Sequence, residues 1–272
     1  MLSQYNAIKY FSYTFIWTTL FWLIGAYYSF EPNNKFYVIF LLLGLVVPFM
    51  MALIFIYKDK NSSLKEEFKT KFTNFKDIDK KSLPFFVFLM PLSVIVSIGI
   101  SLFFGESSEQ FALSSNFSFS AGTVPVLLLL FLAAAFEELG WRGYGFESLE
   151  QKFNFFYASL IFSFLWSAWH LPLSFVNNSY QYVIFQENIL HGINFYLSII
   201  PLGFIISWMW IKNSRNIPMA IAFHYIINLS QEAFEITQAT KMIQTFILTL
   251  IAVYIVYKEK ELFFNKKSTN EQ

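Results

Sequence analysis

The sequence has 272 residues, 56% hydrophobic, 21% aromatic and 14% charged, with a formal net charge of +1. Soluble domains carry about 25% charged residues, so this composition indicates a membrane protein, with neither a basic domain for nucleic acid nor an acidic tail. Cysteine is absent, which excludes a disulfide framework, a thiolate zinc site and a cysteine nucleophile.

A membrane-crossing helix needs about 20 mostly apolar residues. The first candidate, Tyr10–Phe30, is too long for the core of a signal peptide and lacks a small-residue cleavage site, so it reads as a retained span. Phe36–Tyr57 follows, then the hydrophilic loop Lys58–Lys81, read as a surface helix or linker with no further role. That loop holds Asp59, Asp77 and Asp79, the only aspartates, so an intramembrane aspartyl dyad is excluded. Pro84–Phe104 is the third candidate span, and the Ser- and Phe-rich stretch Gly105–Gly122 reads as an external loop. Thr123–Arg142, Phe155–Val176, Phe195–Ile211, Pro218–Phe234 and Met242–Tyr257 complete an all-α polytopic transmembrane bundle of about eight spans. Pro201 and Pro218 are expected to break the sixth and seventh. His191, in the loop Asn177–Asn194, reads as structural, and Glu232 and Glu235 as solvated. The chain divides into residues 1–122 with the Lys-rich loop 58–83, a core over 123–258 and a tail over 259–272.

Placing the Lys-rich loop in the cytoplasm puts every lysine and arginine except Lys35 and Lys241 on the cytoplasmic side, where short loops retain basic residues. Both termini are then cytoplasmic.

Three motifs inside the apolar runs carry the chemistry. An ionised side chain near the centre of a span costs about 2.5 to 3.5 kcal/mol, so such residues are generally used. In Glu-Glu-Leu-Gly-Trp-Arg, residues four apart lie over one another, which pairs Glu138 with Arg142 and leaves Glu137, turned by about 100°, free to face a cavity. The plain alternative is an ion cluster at a helix end. His170 precedes Pro172, where the helix should kink or stop. His224 and Asn228 project from one face of the seventh span. Taken singly, these polar residues serve equally well as bridges between helices. Depth links them. The expected turn Phe153–Asn154 lies midway between Glu137 and His170, Glu137 is about 15 Å of helix from Glu147, and His224 about 12 Å from Asn216. The motifs are therefore expected in one layer beneath the cytoplasmic face.

In order and spacing these residues resemble the CAAX-processing and bacteriocin-processing intramembrane proteases, the type II CAAX prenyl endopeptidase or Abi family, over about Thr123 to Ser230. That family's pattern is Glu-Glu-x-x-x-Arg, Phe-x-x-x-His and His-x-x-x-Asn. Here Trp166 replaces the phenylalanine, and is expected only to pack beside the histidine. The resemblance implies an intramembrane endopeptidase of a prokaryotic plasma membrane acting on a membrane-associated or lipidated peptide. Glu137 would be the general base, His170 would orient the water, and His224 and Asn228 would face the oxyanion, with Glu138 and Arg142 in support. A zinc ion on Glu137, His170 and His224 is the competing mechanism, the metal-free one being preferred. A transporter with a polar intramembrane site, or a non-catalytic immunity or scaffold protein, is the competing function.

Overall fold

The computed structural model describes residues 5–31, 35–58, 63–114 and 125–265. Parts of the two expected loops (59–62 and 115–122), the start of the fourth expected span (123–124) and most of the tail (266–272) lie outside these residues. The described chain is helical, with no strand, as expected for a polytopic bundle.

The long helices, in chain order, are α1 (Ala7–Ser29), α2 (Phe36–Lys58), α4 (Leu83–Ser101), α5 (Val126–Gly140), α7 (Phe155–Trp169), α9 (Ile189–Lys212), α10 (Ile217–Glu232) and α11 (Gln238–Lys258). Shorter ones are α3 (Ser63–Thr73), α6 (Phe146–Glu150), α8 (Tyr180–Glu187) and α12 (Lys260–Phe264). Their starts follow from the sequence. The side chains of Asn6, Asn154, Ser179, Asn188, Asn216 and Thr237 each accept a backbone N–H at a helix start. Such caps contribute about 1 kcal/mol each.

Among the described residues, five stretches are both long and apolar enough to cross a membrane: Phe36–Lys58, Leu83–Phe104, Phe155–Phe175, Ile189–Lys212 and Gln238–Lys258. The other three expected spans are helical but fall short of that test. Helix α1 carries Lys9 and several tyrosines and threonines. The helix from Val126 to Glu150 carries five acidic or basic side chains, Glu137, Glu138, Arg142, Glu147 and Glu150. Helix α10 has only 16 residues.

Several local expectations are corrected. Pro201 sits within an unbroken α9. Ser167 of α7 donates to the Tyr196 carbonyl of α9 at 2.9 Å, an inter-helix bond five residues before the proline. Pro218 lies in the first turn of α10, where its missing N–H costs nothing. His191 belongs to the first turn of α9 rather than to a loop, and much of the loop expected before it is α8.

Contacts define two ends of the bundle. At the basic end, Tyr5 meets Glu67, Asn213 meets Ser82, Asn216 meets the Asn74 carbonyl, and Phe155 packs on Phe263. At the far end, Asn177 bonds Ser29, Phe30 packs on Tyr182, and Gln110 bonds Thr237 and Thr240. The helices therefore alternate in direction, as successive spans must. Gly140 lets α5 meet the backbone of Pro48 on α2, and Gly203 lets α9 meet Ser163 on α7; a Cβ at either position would collide. Small residues of this kind bring membrane helices close together.

The basic end is filled by an ion network. Lys71, 4% exposed, pairs with Glu67 at 2.6 Å and Glu147 at 3.1 Å. Arg215 pairs with Glu147 at 2.6 Å and Glu150 at 2.5 Å, and stacks over Trp210. Burial pulls the Arg215 guanidinium down, but these two carboxylates more than offset it and hold it protonated. Burial, with Glu147 and Glu67 beside it, pushes the Tyr5 phenol up, so it remains a donor. Ser214 and Arg215 adopt left-handed backbone, with φ of 53° and 58°. A conformation that costs roughly 1–3 kcal/mol per residue persists only when its surroundings hold it. Here the Ser214 hydroxyl bonds the Asp77 carbonyl and the arginine is fixed by its carboxylates. The Lys58–Lys81 segment is thus locked onto the bundle through α3, more than the surface linker its composition suggests.

Candidate active site

Helix α5 ends in Glu137 and Glu138 and runs on through a π-helical turn, Trp141–Gly145, that carries Arg142. Glu138 and Arg142 are fully buried, and Glu137 is 6% exposed. The expected i, i+4 pair forms, with Arg142 Nε donating to Glu138 Oε2 at 3.0 Å. The guanidinium also donates to Ser207 Oγ at 3.3 Å and lies 4.4 Å from the Phe162 ring centroid. Burying such a pair requires these extra partners, because desolvation otherwise exceeds the Coulomb gain.

The other Glu138 oxygen, Oε1, accepts His224 Nδ1 from α10 at 2.9 Å. One carboxylate thus spans two helices and fixes the ring of His224. With Nδ1–H committed to Glu138, the remaining nitrogen, Nε2, is an acceptor in the neutral ring and a donor in the imidazolium. His170 caps the end of α7, and the chain turns there into a 3₁₀ segment containing Pro172, as the proline predicts. Its Nδ1 lies 2.8 Å from the Trp166 carbonyl. A carbonyl only accepts, so Nδ1 carries the proton and Nε2 keeps its lone pair when the ring is neutral.

Glu137 is held differently from the expectation of a free carboxylate. Trp166 Nε1 donates to its Oε2 at 2.7 Å, and Trp141 Nε1 approaches the same oxygen at 3.5 Å. Both contacts fall on Oε2, so Oε1 remains for a substrate or water. The Trp166 ring also packs edge-on against His224, 5.3 Å between centroids, and its carbonyl fixes His170. Sequence reading gave this residue packing alone. The signal that identifies it is the indole N–H itself, one helical turn before His170 and so on the same face.

Glu137, His170, His224 and Asn228 all line one cavity of about 360 Å³, with Trp166 in its wall. The Asn228 side chain has no hydrogen-bond partner among the described residues and lines the cavity, which leaves its amide for whatever enters. Glu138 and Arg142 lie outside the lining. Glu232, expected in solvent, is half-buried in the cavity wall.

The four residues share one cavity, as a common layer requires. Glu137 does sit near the middle of the helix from Val126 to Glu150. The cavity, however, continues toward the far end, past Tyr37, Tyr180, Asn194, Gln231 and Lys241. Below the site the bundle is occupied by Trp210, Arg215 and the buried carboxylates of Glu147 and Glu150.

A family model described as type II CAAX prenyl endopeptidase Rce1-like matches residues 119–230. A protein of Methanococcus maripaludis named CAAX prenyl protease 2 is 49% identical over 264 residues, covering 97% of each chain.

Proposed function

The chain belongs to the type II CAAX prenyl endopeptidase family and is an integral-membrane endopeptidase, and we propose that it cleaves prenylated C-terminal Cys-a-a-X sequences with a glutamate-activated water. The observation that carries the mechanism is the asymmetry of Glu137, a cavity-lining residue with one oxygen held by Trp166 and the other without a hydrogen-bond partner among the described residues. Glu137 Oε1 accepts the water's proton, and His170 Nε2 orients the same water through its lone pair. The hydroxide oxygen bonds the peptide carbonyl carbon, and the carbonyl oxygen takes up the electron pair. The Asn228 amide and the Nε2–H of protonated His224 face that oxyanion. Collapse of the intermediate breaks the C–N bond, and the proton held by Glu137 passes to the leaving amine. Leu41, Leu45, Leu130 and Leu248 in the cavity wall suit a prenyl chain on the substrate cysteine.

The zinc alternative would need Glu137, His170 and His224 as a common ligand set. Among the described residues, no three histidine or acidic side chains are grouped closely enough to hold an ion, and the free Nε2 atoms serve the water and oxyanion roles. These features support the metal-free reading.

Incubation of the protein in nanodiscs with a farnesylated Cys-a-a-X peptide, after exhaustive chelation, tests both parts. Mass spectrometry should detect the shortened prenyl-peptide at an undiminished rate. Loss of turnover on chelation, restored by stoichiometric zinc, replaces the mechanism; cleavage that ignores the prenyl group removes the substrate assignment.

The distribution of basic residues supports a plasma-membrane protein with both termini and α3 in the cytoplasm. An impermeant thiol reagent applied to intact cells should then label Ser107→Cys and spare Thr70→Cys; the reverse pattern inverts the protein.

A further inference from the structure

Only two basic residues, Lys35 and Lys241, fall at the far end in the expected topology. Lys35 is exposed. Lys241 lines the cavity and is the sole lysine or arginine among its described lining residues. Its ammonium lies 4.5 Å from the Tyr180 ring centroid and donates to the Tyr180 hydroxyl at 2.9 Å. That hydroxyl in turn donates to Gln238 Oε1 at 3.1 Å. No carboxylate lies within ion-pair distance of Lys241 among the described residues, whereas Lys71, Arg142, Lys212 and Arg215 each have one. Helix stability does not explain the residue either, since the first turn of α11 is where a cation is least favoured.

A chain of ring contacts bounds its distance from the site. His170 to Phe195 and Phe195 to Tyr180 are each 5.8 Å between centroids, and Lys241 Nζ is 4.5 Å from the Tyr180 centroid. The ammonium is therefore within about 16 Å of the His170 ring, and closer if the steps are not collinear. In a Cys-a-a-X sequence, every bond after the cysteine lies within three residues of the terminal carboxylate. Three extended residues span about 10–11 Å, and a hydrogen bond at each end adds about 3 Å. A three-residue tail short of full extension fits within that bound.

We propose that Lys241, held by Tyr180, binds the free C-terminal carboxylate of the substrate and so restricts cleavage to bonds near a chain end. This rests on the substrate class proposed above. The site would accept a peptide α-carboxylate and discriminate against an amidated or extended terminus.

The test compares one farnesylated peptide as free acid and as C-terminal amide, using the wild-type protein, Lys241→Gln and Lys241→Arg. Loss of a hydrogen bond to a charged group corresponds to about tenfold or more. The wild type should prefer the acid by that factor in kcat/KM. Lys241→Gln should lose the preference, its kcat/KM for the acid falling to that for the amide, and Lys241→Arg should retain it. Equal preference in wild type and Lys241→Gln overturns the carboxylate site while leaving the substrate class intact. Binding of both peptides to the Glu137→Gln protein gives the same comparison without turnover. Absence of binding by either form overturns the substrate class and this site with it.

Discussion

At the basic end, Lys71 and Arg215 share Glu147, with Glu67 and Glu150 completing the set. At the cavity, the Asn228 side chain and one oxygen of Glu137 have no protein partner, and Lys241 no carboxylate, among the described residues. Both regions place polar groups inside an apolar bundle. In the first, ion pairs close the structure and hold the strained turn at Ser214 and Arg215. In the second, the protein has left hydrogen-bonding capacity open, in a wall that a ligand can reach. Ionised groups occur in both regions, so charge by itself does not mark the site; the cavity that Glu137, His170, His224 and Asn228 line does. The Glu138–Arg142–His224 relay joins the two regions, its charged groups bonded to one another while it orients the ring of His224 in the cavity lining.

Substitutions in the two regions should therefore differ in kind. The largest effect on turnover is expected for Glu137→Gln, which removes the base and should lower kcat by about 10²–10⁴-fold with the melting temperature unchanged. Near-normal kcat in this variant would break the assignment. Asn228→Ala should lower kcat by about 10²-fold with little change in KM, as loss of an oxyanion donor does. A purely structural asparagine would instead lower thermal stability and leave kcat per folded molecule intact. Trp166→Phe restores the residue usual in the resembling family's motif but removes the indole donor to Glu137. A kcat decrease of roughly tenfold, with KM and melting temperature retained, would establish the positioning role; no change would reduce Trp166 to packing. At the paired end the expectation reverses. Glu147→Gln leaves Lys71 and Arg215 short of a carboxylate and should cost on the order of 3 kcal/mol of stability, read by thermal unfolding in detergent. Its kcat per folded molecule should stay at the wild-type value. A fall in kcat there would couple the two ends.

Much of the site was legible because it is written in short local spacings. The pairing of Glu138 with Arg142 and the shared face of His224 and Asn228 follow from 3.6 residues per turn, and the helix stop at His170 follows from Pro172. The role of Trp166 was not legible, since its indole reaches a carboxylate 29 residues away in sequence on another helix. Nor was the second bond of Glu138, which spans 86 positions. Lys241 stood out in sequence only as an exception to the distribution of basic residues.

By itself the sequence determined an all-α membrane protein, the family motifs and the approximate depth of each chemical group, because hydropathy and helical rise are one-dimensional quantities. Only the tertiary structure decided which Glu137 oxygen and which histidine nitrogens are hydrogen-bonded, and that the cavity extends away from the Lys-rich end. Those outcomes depend on pairing between distant segments. A lysine reads the same in sequence whether it meets two glutamates, as Lys71 does, or a tyrosine ring in a cavity wall, as Lys241 does.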